Sequence, residues 1–76
     1  EELAEYEELI RRLYEAISSL PPMQARRVHA RYMLGMKVKD IAAMEGITPS
    51  QAGKSIHAAL RRLRRYFVRQ KWTVNL

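Results

Sequence analysis

The stretch Gly46-Ile47-Thr48-Pro49-Ser50-Gln51 limits the possible folds of this chain most, because it ends one helix and begins another within three residues. Glycine permits the positive φ at which helices commonly stop. Thr48 suits the cap of the next helix and Pro49 its first position. Gln51 can bond back to the cap, which completes a capping box. The stretch therefore predicts two helices joined by a very short turn.

Two residues beside this turn indicate how its helices cross. Ala42 is small, so the helices can approach closely, and Ile47 can fill the space between them. A pair of helices joined in this way is the helix-turn-helix arrangement, whose second helix lies in the major groove of DNA. The N-termini of both helices carry unpaired N–H groups and a partial positive charge, which suit phosphates on either wall of a groove.

The rest of the chain is also predicted to be helical. Apolar residues recur at spacings of three and four, with no strand alternation, and place helices at about residues 2–18, 22–34, 37–45 and 49–69. Pro21 and Pro22 separate the first two helices, and Gly35 ends the second. We therefore expect an all-α, four-helix single domain over residues 1–76, with a helix-turn-helix and no wing. The predicted core positions are Leu3, Tyr6, Ile10, Leu13, Ile17, Leu20, Val28, Tyr32, Met33, Val38, Ile41, Ala42, Met44, Ala52, Ile56, Ala59, Leu60, Leu63 and Phe67.

The net charge of +6 hides a division along the chain. Residues 1–20 carry six acids against two arginines, a net of −4, whereas residues 21–76 carry twelve bases against two acids, a net of +10. Such an excess attracts polyanions and points to nucleic acid first. A basic surface that only aids solubility is the alternative interpretation.

Several other classes of function are not expected. The chain has no cysteine, and its two histidines are too few to hold a zinc ion. It shows no nucleophile paired with a base, no carboxylate pair and no glycine-rich phosphate loop, so we expect no enzyme, cofactor, metal or small-molecule ligand. No apolar run is long enough for a membrane span, and no secretory signal pattern opens the chain, which favours a soluble cytoplasmic protein.

The fourth predicted helix supplies the candidate DNA-binding residues. At 100° per residue its face away from the core bears Ser50, Lys54, His57 and Arg61, with Gln51 and Ser55 at the flanks.

Because only the first turns fit in a groove, base-edge contacts are predicted for Ser50, Gln51, Lys54 and Ser55, and backbone contacts for Lys37, Lys39 and His57. Arg61 and the arginines after it lie farther along the helix. They are predicted to contact either flanking phosphates or a protein partner.

Some of these residues have a second interpretation. Gln51 can be fully occupied by the capping box, and the arginines at 61–65 can form a merely solvated face. Gly53 is unfavourable within a helix, and either close approach of a phosphate or another backbone, or simple tolerance, accounts for it.

The segment LPPMQARRVHARYMLGMKVKDIAAMEGITPSQAGKSIHAALRRL resembles region 4 of the bacterial sigma-70 family, especially the small extracytoplasmic-function type and its relatives on phages and mobile elements. The matching residues are Leu20, Pro21, Gln24, Arg31, Tyr32, Gly35, Ile41, Ala42, Gly46, Ile47, His57, Ala59 and Leu63. The resemblance covers residues 5–67. It implies a module without catalysis that reads the promoter element near position −35 and docks on the β flap of RNA polymerase.

The chain departs from the family pattern at a few positions. Gly53 stands where lysine is frequent, Ala52 replaces a larger apolar residue, and Arg27 and Glu45 each stand where an apolar residue is usual. Nothing resembles the region that melts the −10 element, so the resemblance implies that this chain alone is not a complete sigma factor. The alternatives are a stand-alone helix-turn-helix regulator of a phage or mobile element, and a module that binds polymerase or another protein rather than DNA.

Overall fold

The computed structural model of the protein describes residues 2–70, and that part of the chain contains four helices and no strand. The helices are α1 (Glu2–Ser18), α2 (Pro22–Val28), α3 (Val38–Glu45) and α4 (Pro49–Arg69). The predicted all-α fold class is confirmed.

A π-helical segment, His29–Met33, directly continues α2. Its wider turn is closed by a bond from Leu34 N to His29 O, 3.1 Å long. The sequence predicts an uninterrupted α-helix through residue 34, and we find no local signal in the sequence for the wider turn. Gly35 follows with φ of +69°, which allows Met36 N to bond back to Ala30 O.

The main core lies where the C-terminal end of α1 meets α2 and α4. Ile17 and Leu20 pack there with Val28 of α2 and Ala59 of α4. Ala25, Met33 and Leu63 pack partly buried against them. A buried leucine- or isoleucine-sized side chain contributes about 1.5 to 3 kcal/mol, so this small set holds α1 to the rest of the molecule.

The helix-turn-helix has its own buried residues. Ile41 and Ala42 of α3 are buried, as are Ala52 and Ile56 of α4. The two alanines are almost completely enclosed, which agrees with the close crossing predicted from Ala42. Small side chains at the crossing set the distance between the two helices.

Five predicted core positions are wrong. Met44 is 76% exposed and Leu3 69% exposed, and Tyr6 and Tyr32 are exposed as well. Helical spacing identifies the apolar side of a helix but does not show how far a neighbouring helix extends along that side. In α1 the buried residues are only Ala16 and Ile17, near its C-terminal end. Leu60, which is 37% exposed, is the fifth of these positions, and the remaining predicted positions are buried or half-buried.

The turn between α3 and α4 has the geometry that its sequence predicts. Gly46 has φ of +69°, its N–H bonds Ala43 O, and the N–H of Ile47 bonds Ala42 O at 3.0 Å. This pair of bonds is the Schellman motif, which ends a helix on a left-handed residue. At the start of α4 the predicted capping box is confirmed: Thr48 Oγ1 accepts from Gln51 N at 3.1 Å, and Gln51 Oε1 accepts from Thr48 N at 2.9 Å.

Candidate nucleic-acid interface

The outer face of α4 carries a shallow, open depression. It is lined by Ser50, Gly53, Lys54, His57 and Arg61. Counted from Ser50, the other four follow after three, four, seven and eleven residues, so the depression follows one side of the helix through about its first three turns. Four of the predicted DNA-binding residues, Ser50, Lys54, His57 and Arg61, therefore lie together. All four are exposed.

The chemistry of this face suits an anionic partner. Lys54 and Arg61 carry the positive charge, and Ser50 and His57 add groups that can donate hydrogen bonds. The side chains of these four residues make no hydrogen bond or ion pair with another residue in the range 2–70. Their polar groups are therefore available to a ligand.

The two predicted lysines of α3 lie outside the depression. Lys37 is the N-cap residue of α3, with extended φ and ψ of −76° and 147°, and Lys39 follows in the first turn. Both are exposed. The structure thus places them at the N-terminus of α3, where the helix dipole adds to their charge.

Gln51 is only partly committed to the capping box. Its side-chain oxygen accepts the hydrogen bond from Thr48 N, whereas its amide group remains exposed. An amide NH₂ has two donor hydrogens, so Gln51 can cap α4 and still donate to a ligand.

Ser55 is a predicted site residue whose side chain already has a hydrogen-bond partner on another helix. Its Oγ accepts a hydrogen bond from Nη1 of Arg27 at 2.8 Å, and the residue is half-buried. We therefore expect Ser55 to hold α2 against α4 rather than to contact a base edge. Helical angles put Ser55 at the flank of the exposed face, and Arg27 of α2 donates a hydrogen bond to its hydroxyl there.

Arg27 connects three helices. Besides Ser55 of α4 it binds Glu45 of α3, with Nη2 to Oε1 at 2.7 Å and Nε to both carboxylate oxygens at 3.0 Å. The side chains of Arg27 and Glu45 are only 13% and 15% exposed. We call these three residues the Arg27 clamp. It ties α2 to both helices of the helix-turn-helix.

Hydrogen bonds within the Arg27 clamp shift the pKa values of its two charged residues. Hydrogen bonds from Arg27 are the main reason that the pKa of Glu45 lies below its usual range, and partial burial opposes this effect. The same bonds raise the pKa of Arg27. Both groups are therefore charged at neutral pH. Both residues stand where an apolar residue is usual in the family pattern, but a separation of 18 residues along the chain gives no local signal that they pair.

The structure shows two further features relevant to ligands. Within residues 2–70, no group of three or more His, Cys, Asp or Glu side chains is arranged to hold a metal ion. In the same range, no helix combines the length and apolar character needed to cross a membrane.

The chain matches a known protein family. Residues 10–63 match the family described as Sigma-70, region 4, and this range contains the last part of α1, all of α2 and α3, and most of α4. Comparisons with curated proteins and with solved structures gave no match. Region 4 is a non-enzymatic DNA-binding module of transcription initiation. Since the match covers well over half of the sequence and both helices of the helix-turn-helix, this chain belongs to the sigma-70 region 4 family.

Proposed function

We propose that this protein recognises a promoter element of the −35 type in duplex DNA, with the first turns of α4 in the major groove. In this proposal Ser50, Gln51 and Lys54 contact base edges. The backbone phosphates are contacted by Lys37, Lys39, His57 and Arg61. The protein works in the cytoplasm, together with the RNA polymerase core, and docks on the β flap.

The observation that carries the proposal is the exposed face of α4. The polar groups of Ser50, Lys54 and His57 point to solvent at the leading end of a helix whose other side is buried against α3. A recognition helix needs this separation, because the reading side chains must not also hold the core. Docking on polymerase is supported by family membership alone.

Selection of bound duplexes from a random pool tests the DNA-binding part. We expect a short, non-palindromic motif that resembles a −35 hexamer, and footprinting with core polymerase should protect the same position. A palindromic motif would instead favour a stand-alone regulator that binds as a dimer.

Salt dependence separates DNA binding from a purely protein-binding role. Each phosphate contact lowers log affinity by about 0.9 per unit of log salt concentration. Lys54→Ala should relax the preference for one base if Lys54 reads an edge, and should flatten the salt slope if it contacts a phosphate. A protein that binds polymerase but no duplex at low salt would be an interaction module, and the DNA-binding proposal would fail.

A further inference from the structure

No close contact within the described chain requires glycine at position 53. It lies in the second turn of α4 with an ordinary helical backbone, unlike Gly35 and Gly46, which have φ of +69°. A Cβ placed on Gly53 would have no described atom within 4 Å beyond its own helix backbone and chain neighbours. Glycine is among the least favourable residues inside a helix, so alanine would suit this position better as far as folding is concerned.

The position of Gly53 on α4 indicates which part of a DNA groove a side chain at this position would face. Gly53 lines the depression on α4 together with Lys54 and His57. At 100° per residue it lies on the flank of the exposed face, beside His57, whereas Lys54 lies near the centre. When a helix lies in the major groove, its centre faces the base edges and its flanks face the sugar–phosphate walls.

We infer that Gly53 is a close-approach position, at which the backbone of α4 lies directly against a sugar–phosphate wall of the DNA groove. A Cβ would extend about 1.5 Å beyond Cα and would hold the helix away from that wall. Gly53 thereby sets how deeply α4 enters the groove and whether Ser50 and Lys54 reach the bases. This inference rests on the proposed DNA-binding function and identifies a further residue that determines it.

The test is a substitution whose effects on stability and on binding have opposite signs. Gly53→Ala should raise the Tm by about 3 to 8 °C, because alanine favours the helix. The same variant should bind the duplex selected by the wild-type protein about tenfold or more weakly. Ala43→Gly is the control, since Ala43 is exposed on α3 and does not line the depression. It should lower the Tm and leave DNA affinity within about twofold.

A second variant tests whether there is free room at this position. Gly53→Lys adds a positive charge, so with space between α4 and the DNA it would bind more tightly, with a steeper salt slope. Close approach predicts weaker binding in spite of the added charge.

Three results would overturn the inference: unchanged affinity of Gly53→Ala, a lower Tm for that variant, or tighter binding by Gly53→Lys. In each of these cases the wild-type protein still binds duplex, so the proposed function stands. If the wild-type protein binds no duplex at low salt, both the proposed function and the inference fail.

Discussion

Arg27 of α2 and Glu45 of α3 form an ion pair of 2.7 Å, and the same arginine donates to Ser55 of α4 at 2.8 Å. Both charged side chains are mostly shielded from solvent. Their attraction is therefore screened less by salt than that of the exposed Arg11 and Glu8 pair on α1. The pair fixes how the helix-turn-helix sits on α2.

Removal of one partner should cost more stability than removal of both. Arg27→Met leaves the Glu45 carboxylate shielded and unpaired, and we expect a loss of about 2 to 4 kcal/mol in the free energy of unfolding. The double variant Arg27→Met with Glu45→Leu should recover most of this loss, because apolar side chains can pack in the same space. Urea unfolding of the two single variants and the double variant measures the coupling. A double variant less stable than either single variant would contradict this account.

The ion pair should also make stability depend on pH. The pKa of Glu45 is lower in the folded protein than in the unfolded chain, because Arg27 donates hydrogen bonds to the carboxylate. The stabilisation is therefore complete above the ordinary glutamate pKa of about 4.3 and is lost as the pH falls through the lower folded value. Thermal unfolding of the wild-type protein and of Glu45→Gln between about pH 2 and pH 7 isolates the contribution of the Glu45 carboxylate to stability. The difference between the two curves should shrink towards acidic pH, and a constant difference would contradict the assignment.

The two serines of α4 should separate structure from DNA recognition. Ser55→Ala removes an acceptor from Arg27 and should cost about 0.5 to 1.5 kcal/mol of stability, without a change in base preference. Ser50→Ala lies on the exposed face and should leave stability nearly unchanged, but should weaken binding to the selected duplex by about 1 kcal/mol. Thermal unfolding and duplex titration of both variants check the pair. An altered base preference in Ser55→Ala would show that its hydroxyl reaches the DNA after all.

Gln51 allows a similar separation at a single residue. Gln51→Glu keeps an oxygen that can accept from Thr48 N, and it places a negative charge near the N-terminus of α4, so stability should be equal or higher by a few tenths of a kcal/mol. Duplex affinity should fall, because the carboxylate has no donor and repels phosphates. Calorimetry with duplex titration measures both. Unchanged affinity would mean that Gln51 acts only as a cap.

Local signals in the sequence predicted local structure well. Thr48 and Gln51 form the capping box, and Gly46 takes the left-handed conformation, because each of these features depends on residues within four positions of one another. The side of α4 that is buried was also predictable, since Ala52, Ile56 and Ala59 repeat with the helical period.

Features that depend on distant parts of the chain were not predictable in the same way. The pairing of Arg27 with Glu45 requires α2 and α3 to be placed in space, and so does the hydrogen bond from Arg27 to Ser55 of α4. Met44 is exposed for a related reason: apolar spacing cannot show whether another helix covers that part of α3. Whether a residue at the edge of a helical face is covered thus depends on which neighbouring element contacts it, and its helical angle alone does not show this.

The side chains that line the depression on α4 take no part in the core, and Ser50, Lys54 and His57 are all exposed. Substitutions at these positions should therefore change the stability of the fold very little. The protein is therefore suited to changes of DNA specificity. Randomising a few surface codons on α4, while the buried alanines and the Arg27 clamp stay unchanged, should yield variants that still fold and prefer other DNA sequences.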